Sequence, residues 1–221
     1  MPILRDEDKK YITEQFNAKL TSQVKILLFS QNLECEYCKP TEEIMTELAS
    51  LSEKLTLDIR NLAIESEDAK SYGVDKVPAV ILLGEGDKDY GIRFFGVPSG
   101  YEFSTLLADI IDVSNGKSDL DAESVSKIQS VASPVDIKVF VTPTCPYCPA
   151  AVRAAHKIAM ANPGYVRAEM IESVEFPHLA NRYAVYGVPK TIINEKTQFE
   201  GALPDQAVVE HVLSALKVSG A

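Results

Sequence analysis

"IKVFVTPTCPYCPA" (residues 137–150) runs an apolar, strand-like stretch into a short polar turn, then two cysteines separated by Pro146 and Tyr147, then a proline. Taken alone, Cys145 and Cys148 admit three readings: a redox pair, half of a metal site, or two small core residues. A second stretch follows the same plan. "VKILLFSQNLECEYCKP" (24–40) also carries an apolar run, a polar turn, Cys-x-Tyr-Cys and a proline, and Cys35 and Cys145 lie 110 positions apart. Downstream, "YGVDKVPAVILL" (72–83) matches "YAVYGVPKTIIN" (183–194), which puts Pro78 and Pro189 at a separation of 111. Two offsets agreeing within one residue mark an internal duplication.

The rest of the chain fits two units. Its 221 residues allow two domains of about 110 residues each. "SNGKSDLDAE" (114–123) combines turn-forming Asn-Gly with Ser and Asp and sets the boundary near Lys117, giving domains 1–117 and 118–221. "KILLF" and "IKVFV" are short, branched and bounded by turns, as buried strands are. "PTEEIMTELASLSEKL" and "AAVRAAHKIAMAN" space apolar residues by three and four, as helices do. "AVILLGEGDKDYGIRFFG" reads as two strands around a Gly-rich turn. Each unit is therefore expected to run helix, strand, helix, strand, short strand pair, helix. The fold class is α/β, a mixed central sheet flanked by helices, built twice.

Composition narrows the function. With 46% hydrophobic and 24% charged residues, the chain has the makeup of a folded globular protein. A formal charge of -10 opposes binding to phosphate backbones, so nucleic acid is not an expected partner. The charged start, "MPILRDEDKKYITEQF", is unlike a signal peptide, and no apolar run approaches a membrane span of about 20 residues; a cytoplasmic location away from membranes is expected.

The position of each pair suits thiol chemistry. A strand feeding a helix presents free backbone N–H groups and the positive end of the helix dipole at the junction. A thiol there can fall from about 8.5 to roughly 3.5–7.5 in pKa, which makes Cys35 and Cys145 the expected nucleophiles. The two-residue spacing brings Cys38 and Cys148 close enough to form an intramolecular disulfide, so they are the expected resolving thiols. No cofactor is needed for this cycle. Pro40 and Pro149 fall within or just past the first helical turn, where a missing N–H costs little. Pro78 and Pro189 head apolar strands and must sit at an edge or at the first residue.

With Cys-x-x-Cys after the first core strand and Val-Pro heading a later one, both halves resemble the thioredoxin fold. The whole chain resembles the two-domain protein disulfide oxidoreductases of thermophilic prokaryotes, which are similar to protein disulfide isomerase; "CPYC" with "GVPKTIIN" is also close to glutaredoxin. The resemblance implies dithiol–disulfide oxidoreduction on protein substrates, an upstream electron donor like thioredoxin reductase, and cis-prolines at Pro78 and Pro189 facing the disulfides. It also implies that Val77 and Val188 offer backbone groups to an extended substrate. One departure stands out. The buried acid that thioredoxins carry six residues before the first cysteine is replaced by Phe29 and Val139.

Other readings compete. Zinc sites of the ribbon type separate their cysteine pairs by about 15–20 residues, far less than the gap between Cys38 and Cys145. A cluster-binding glutaredoxin-like module and a dedicated electron carrier to a peroxidase are alternatives to a general disulfide catalyst. His156, His178 and His211 are expected in surface or capping roles, and His156 lies too far along its helix to serve Cys145 as a base. "GEGDKDYG" lacks the features of a phosphate loop and is expected to be a hairpin turn. The two sites also differ: Glu36 follows Cys35 where Pro146 follows Cys145, and a carboxylate there disfavours the thiolate. Cys145 is thus expected to be the more acidic thiol.

Overall fold

The structure is a computed structural model that describes residues 3–218. The first half runs α1 (Asp6–Lys19), β1 (Val24–Ser30), α2 (Cys38–Ala49), β2 (Leu55–Asn61), α3 (Ser66–Ser71), β3 (Ala79–Gly84), β4 (Lys88–Phe95) and α4 (Glu102–Asn115). The second runs α5 (Ala122–Gln129), β5 (Val135–Val141), α6 (Cys148–Ala161), β6 (Val166–Glu172), α7 (Pro177–Arg182), β7 (Lys190–Ile193), β8 (Thr197–Glu200) and α8 (Asp205–Val218). The element plan expected from the repeat is present with one addition per half. The six-residue helices α3 and α7 have no sequence signal of their own, because fewer than two turns cannot display an apolar period.

Each half builds the same four-stranded sheet. β1 pairs parallel with β2 and antiparallel with β3, which pairs antiparallel with β4. β5 repeats this with β6, β7 and β8. The "GEGD" turn between β3 and β4 takes positive φ at Gly86 (70°) and Asp87 (60°), as its composition requires.

The two sheets do not stay separate. β4 pairs parallel with β6, from Ile92↔Ala168 to Phe95↔Ile171, giving one eight-stranded sheet in the order β2-β1-β3-β4-β6-β5-β7-β8. The last strand of the first sheet thus joins the counterpart of β2 in the second. This is a head-to-tail union, not a two-fold one. β1, β3 and β4 are buried over most of their length and read as near-continuous apolar runs.

Alternate side chains of the central strands face opposite ways. Ile26, Leu28, Val80 and Val139 enter a large core with α1, α2, α4, α6 and α8. Leu27, Phe29, Ile81 and Phe140 enter a smaller one under α3 and α7, with Ala69, Val74 and Phe176. The chain leaves α4 through Gly116, in the left-handed conformation at φ 68°, and Asp121 caps α5 by accepting the Ser124 N–H at 2.9 Å. Among the described residues no helix is long and apolar enough to cross a membrane.

Candidate active sites

Cys38 and Cys148 are the first residues of α2 and α6, and Cys35 and Cys145 lie in the turns just before them. Each pair is a disulfide, with Cα–Cα separations of 5.4 Å for Cys35–Cys38 and 5.5 Å for Cys145–Cys148. All four cysteines are used within their own pairs. Cys38 and Cys148 are buried at 1% and 0% exposure, while Cys35 is partly exposed and Cys145 is 8% exposed. The second sulfur of each pair thus lies behind the first. Pro40 and Pro149 stand third and second in their helices, where an N–H would have no partner in the helix.

The Val-Pro segments come to the same places. Val77–Pro78 and Val188–Pro189 are both cis, at the heads of β3 and β7. Pro78 lines a cleft of about 310 Å³ with Cys35 and Val77. In the second half Cys145 Sγ lies 3.7 Å from the Val188 carbonyl oxygen. Both Val-Pro pairs are therefore beside a disulfide, with Val77 and Val188 half-buried and both prolines buried.

Helix-end donation is visible at the second site, where the Cys148 N–H points to Cys145 Sγ at 3.1 Å. A donor at this position favours a thiolate on that sulfur. Tyr147 between these cysteines is 70% exposed, and Tyr186, two residues before Val188, is 93% exposed.

The first site is surrounded by carboxylates. Its cleft is lined by Glu34, Glu36 and Tyr37 from the first half and by Val174, Glu175 and Pro177 from the second. The loop after β6 reaches across the end of β4 to complete it: Glu175 Oε1 accepts the Val97 N–H at 2.7 Å, and Glu172 Oε2 accepts the Glu175 N–H at 2.6 Å. Gly96 leaves room for this loop, since a Cβ there would lie 2.6 Å from Glu172 Cβ and 2.9 Å from Glu175 Oε1. Burial pushes the Glu175 carboxyl up to about 7, helped by Glu172 and Glu36 and opposed by the Val97 hydrogen bond. Burial also raises Glu172. The Tyr37 phenol is raised by the charge on Glu36, with burial, Glu175 and Glu172 adding to it.

Phe29 and Val139 are fully buried in apolar surroundings, so β1 and β5 supply no acid at these positions. A buried acid approaches the second site from elsewhere. The Tyr101 N–H donates to the Pro143 carbonyl at 3.0 Å, which sets the start of α4 beside the turn that carries Cys145. Farther along, Asp109 of α4 accepts hydrogen bonds from Arg153 and lies 2.6 Å from His156 Nδ1 on α6. The two helices therefore run side by side in the same direction. Two turns back from Asp109, at 1.5 Å per residue, Glu102 stands level with the Cys148 end of α6. It is 1% exposed, bonded through Oε2 to Thr105 at 2.7 Å, with Oε1 unpartnered. Burial pushes its carboxyl up to about 7, with Asp109 adding to this and the Thr105 bond opposing it.

Sequence reasoning misses Glu102, Glu172 and Glu175, and it misplaces His156. Instead of a surface or capping role, His156 is fully buried between α4 and α6, bonded to Asp109 and edge-on to Phe94 at 5.0 Å between centroids. No linear pattern marks these four residues, because each is buried by the other half of the chain. His178 is exposed, and His211 is half-buried and stacked on Phe199.

Comparison with known proteins places this geometry. The model of the thioredoxin domain matches residues 135–214. Thioredoxin of Methanocaldococcus jannaschii is 38% identical over 84 residues, covering 99% of that protein and 38% of this chain. The chain belongs to the thioredoxin family. It does so as a two-domain, thioredoxin-fold protein with a Cys-x-x-Cys disulfide in each half, a dithiol–disulfide oxidoreductase. A structure of the alkylhydroperoxide reductase AhpF from Enterococcus faecalis superposes with a TM-score of 0.87 at 31% identity, covering 95% of this chain and 99% of that one. A protein disulfide oxidoreductase from Aeropyrum pernix gives a TM-score of 0.88 at 27% identity, with 96% and 93% covered. The chain spans only 31% and 30% of the length of two curated relatives it matches, an alkyl hydroperoxide reductase of Pseudomonas aeruginosa and an NADH dehydrogenase of Ferdinandcohnia aciditolerans.

Proposed function

We propose that each half, 1–117 and 118–221, carries a dithiol–disulfide exchange site for protein substrates. Cys35 and Cys145 attack, and Cys38 and Cys148 resolve. The outer thiolate attacks a substrate disulfide, one substrate sulfur leaves, and the inner cysteine displaces the other as the intramolecular disulfide closes. Two electrons pass from the dithiol to the substrate, and the reverse order oxidises a dithiol. Val77 and Val188 hold the substrate main chain by strand-like pairing against the Val-Pro edge. The observation that carries this reading is the placement of Cys145 Sγ between the Cys148 N–H and the Val188 carbonyl, with the second sulfur buried behind it.

A thioredoxin-reductase-like protein is the expected electron donor, in the cytoplasm. A dedicated carrier serving a peroxidase is the second reading, favoured by the 31% identity to the alkylhydroperoxide reductase AhpF across 95% of this chain. Insulin reduction separates these readings when Cys35→Ser, Cys145→Ser and the double variant are compared with the unaltered chain. Turnover by each single variant and none by the double variant supports two general sites; failure of the unaltered chain to reduce insulin contradicts the general reading and leaves the carrier.

A further inference from the structure

We propose that the Cys35 site is selective for disulfides flanked by cationic side chains, a substrate class the Cys145 site does not favour. This rests on the reading of Cys35 as a nucleophile and adds to it what the cleft around that sulfur recognises. The cleft of about 310 Å³ holds the outer cysteine and the Val77–Pro78 edge, so a bound peptide must lie in it. Three carboxylates line it, Glu34, Glu36 and Glu175, and no lysine or arginine does so among the described residues. The neighbouring cation Lys76 is engaged elsewhere, 2.7 Å from Asp75 and over the ring of Phe95.

A second observation is independent of the number of acids. Glu172, 3% exposed, keeps Oε1 without a hydrogen-bond partner, and the adjoining Glu175 keeps Oε2 in the same state. Buried carboxylate oxygens normally have donors. Here the donors already present are backbone N–H groups on the other oxygens; Glu175 lines the cleft, whereas Glu172, the last residue of β6, does not. A guanidinium or ammonium beside the substrate disulfide supplies the donor missing at Glu175 and the charge opposite to Glu34 and Glu36. An acidic flank meets like charge in a partly desolvated site, which is a rejecting element as well as a lost attraction.

The second site carries no carboxylate within its motif, and the acid that approaches it, Glu102 of α4, is 1% exposed. The positions matching Glu34 and Glu36 in the repeat are Thr144 and Pro146, and Tyr147 between its cysteines is 70% exposed. The difference follows from the head-to-tail sheet. The first site lies on the side of the junction where the β6 loop can reach it, whereas beyond β7 the second sheet ends at β8.

The test uses full-length protein with one site at a time, Cys145→Ser/Cys148→Ser and Cys35→Ser/Cys38→Ser, and three peptides with one disulfide each. The disulfide is flanked by arginines, serines or glutamates. For the Cys35 site, kcat/KM is expected to order arginine, serine, glutamate, with about tenfold or more between the extremes. The ratio should shrink in about 1 M salt, where the screening length is about 3 Å. It should fall several-fold in Glu34→Gln/Glu36→Gln, whose altered side chains are exposed, and further when Glu175→Gln is added. The Cys145 site should show a ratio near one. Reduction of the serine peptide at Cys35 with no charge preference, or equal preference at both sites, overturns this inference alone. Failure to reduce any of the three overturns the Cys35 reading and this inference with it.

Discussion

β2 and β6 occupy the same place in the repeat and have opposite environments. β2 is an edge strand with half-exposed Asp58 and Arg60, while β6 is buried along nearly its whole length between β4 and β5. The same divergence runs through the helices above them. Arg153 of α6 is held between Asp109 and Asp112 at the junction of the halves, and its counterpart in α2, Glu43, is exposed. Joining two similar units head to tail leaves β2 and β8 at the edges and buries their counterparts β6 and β4. Sites with the same cysteine geometry thereby acquire different chemical surrounds.

The largest expected effect tests whether the halves share function despite this. Replacing both Cys35 and Cys145 by serine should cut disulfide exchange by on the order of a thousandfold or more. Each single variant should keep the activity of the other half, read by insulin reduction. A single variant as inactive as the double would mean that the two sites work only in series.

The next effect concerns the seam. Burial opposes the charge on Arg153, yet Asp109 and Asp112 outweigh it and raise its pKa. Arg153→Met leaves those carboxylates without their cation and should cost about 3–5 kcal/mol in urea unfolding. Glu43→Met, at the matching exposed position, should change stability by about 0.5 kcal/mol or less. Similar losses at both positions would show that α6 is no more tightly held than α2.

Glu102 gives a smaller effect with a definite pH sign. Its pKa is raised to about 7 in the folded protein from an ordinary 4.5, so the folded state holds the proton more tightly. Stability at this group is lost as pH rises from about 4.5 through 7 and is fully lost above that. Glu102→Gln should therefore stabilise the protein at pH 8, by up to about 3 kcal/mol at 1.4 kcal/mol per unit, and have little effect at pH 4. Thermal melts across this range check it; stabilisation that is the same at both ends would contradict the burial argument.

Much of this molecule is legible as sequence. The repeat, the strand–turn–helix setting of the cysteines and the Val-Pro strand heads all depend on local order, and the structure puts Cys35 with Pro78 and Cys145 with Val188. What is not legible depends on contacts between the halves. Nothing in an apolar run such as "GIRFFG" says which strand will lie alongside, so the β4–β6 pairing has no linear signal, nor has the burial of Glu102, Glu172 and His156 that follows from it. The lack of an acid at Phe29 and Val139 is plain from the residues themselves, while the carboxylates brought near from the opposite halves have no linear signature.

The smallest effect isolates the residue inside the motif. Exchanging the two, with Glu36→Pro in one variant and Pro146→Glu in another, should lower the thiol midpoint at Cys35 and raise it at Cys145, each by about one unit or less. Shifts in the same direction at both sites would assign the difference to loop stiffness and not to charge.

The inequality of the two thiols is the claim on which the comparison turns. Cys35 shares its cleft with Glu36 and Glu175, while Cys145 receives the Cys148 N–H and has proline beside it. Rates of iodoacetamide alkylation against pH, measured on reduced Cys145→Ser/Cys148→Ser and Cys35→Ser/Cys38→Ser proteins, compare them directly. A lower midpoint at Cys145 than at Cys35 is the predicted result, and an equal or lower midpoint at Cys35 would contradict it.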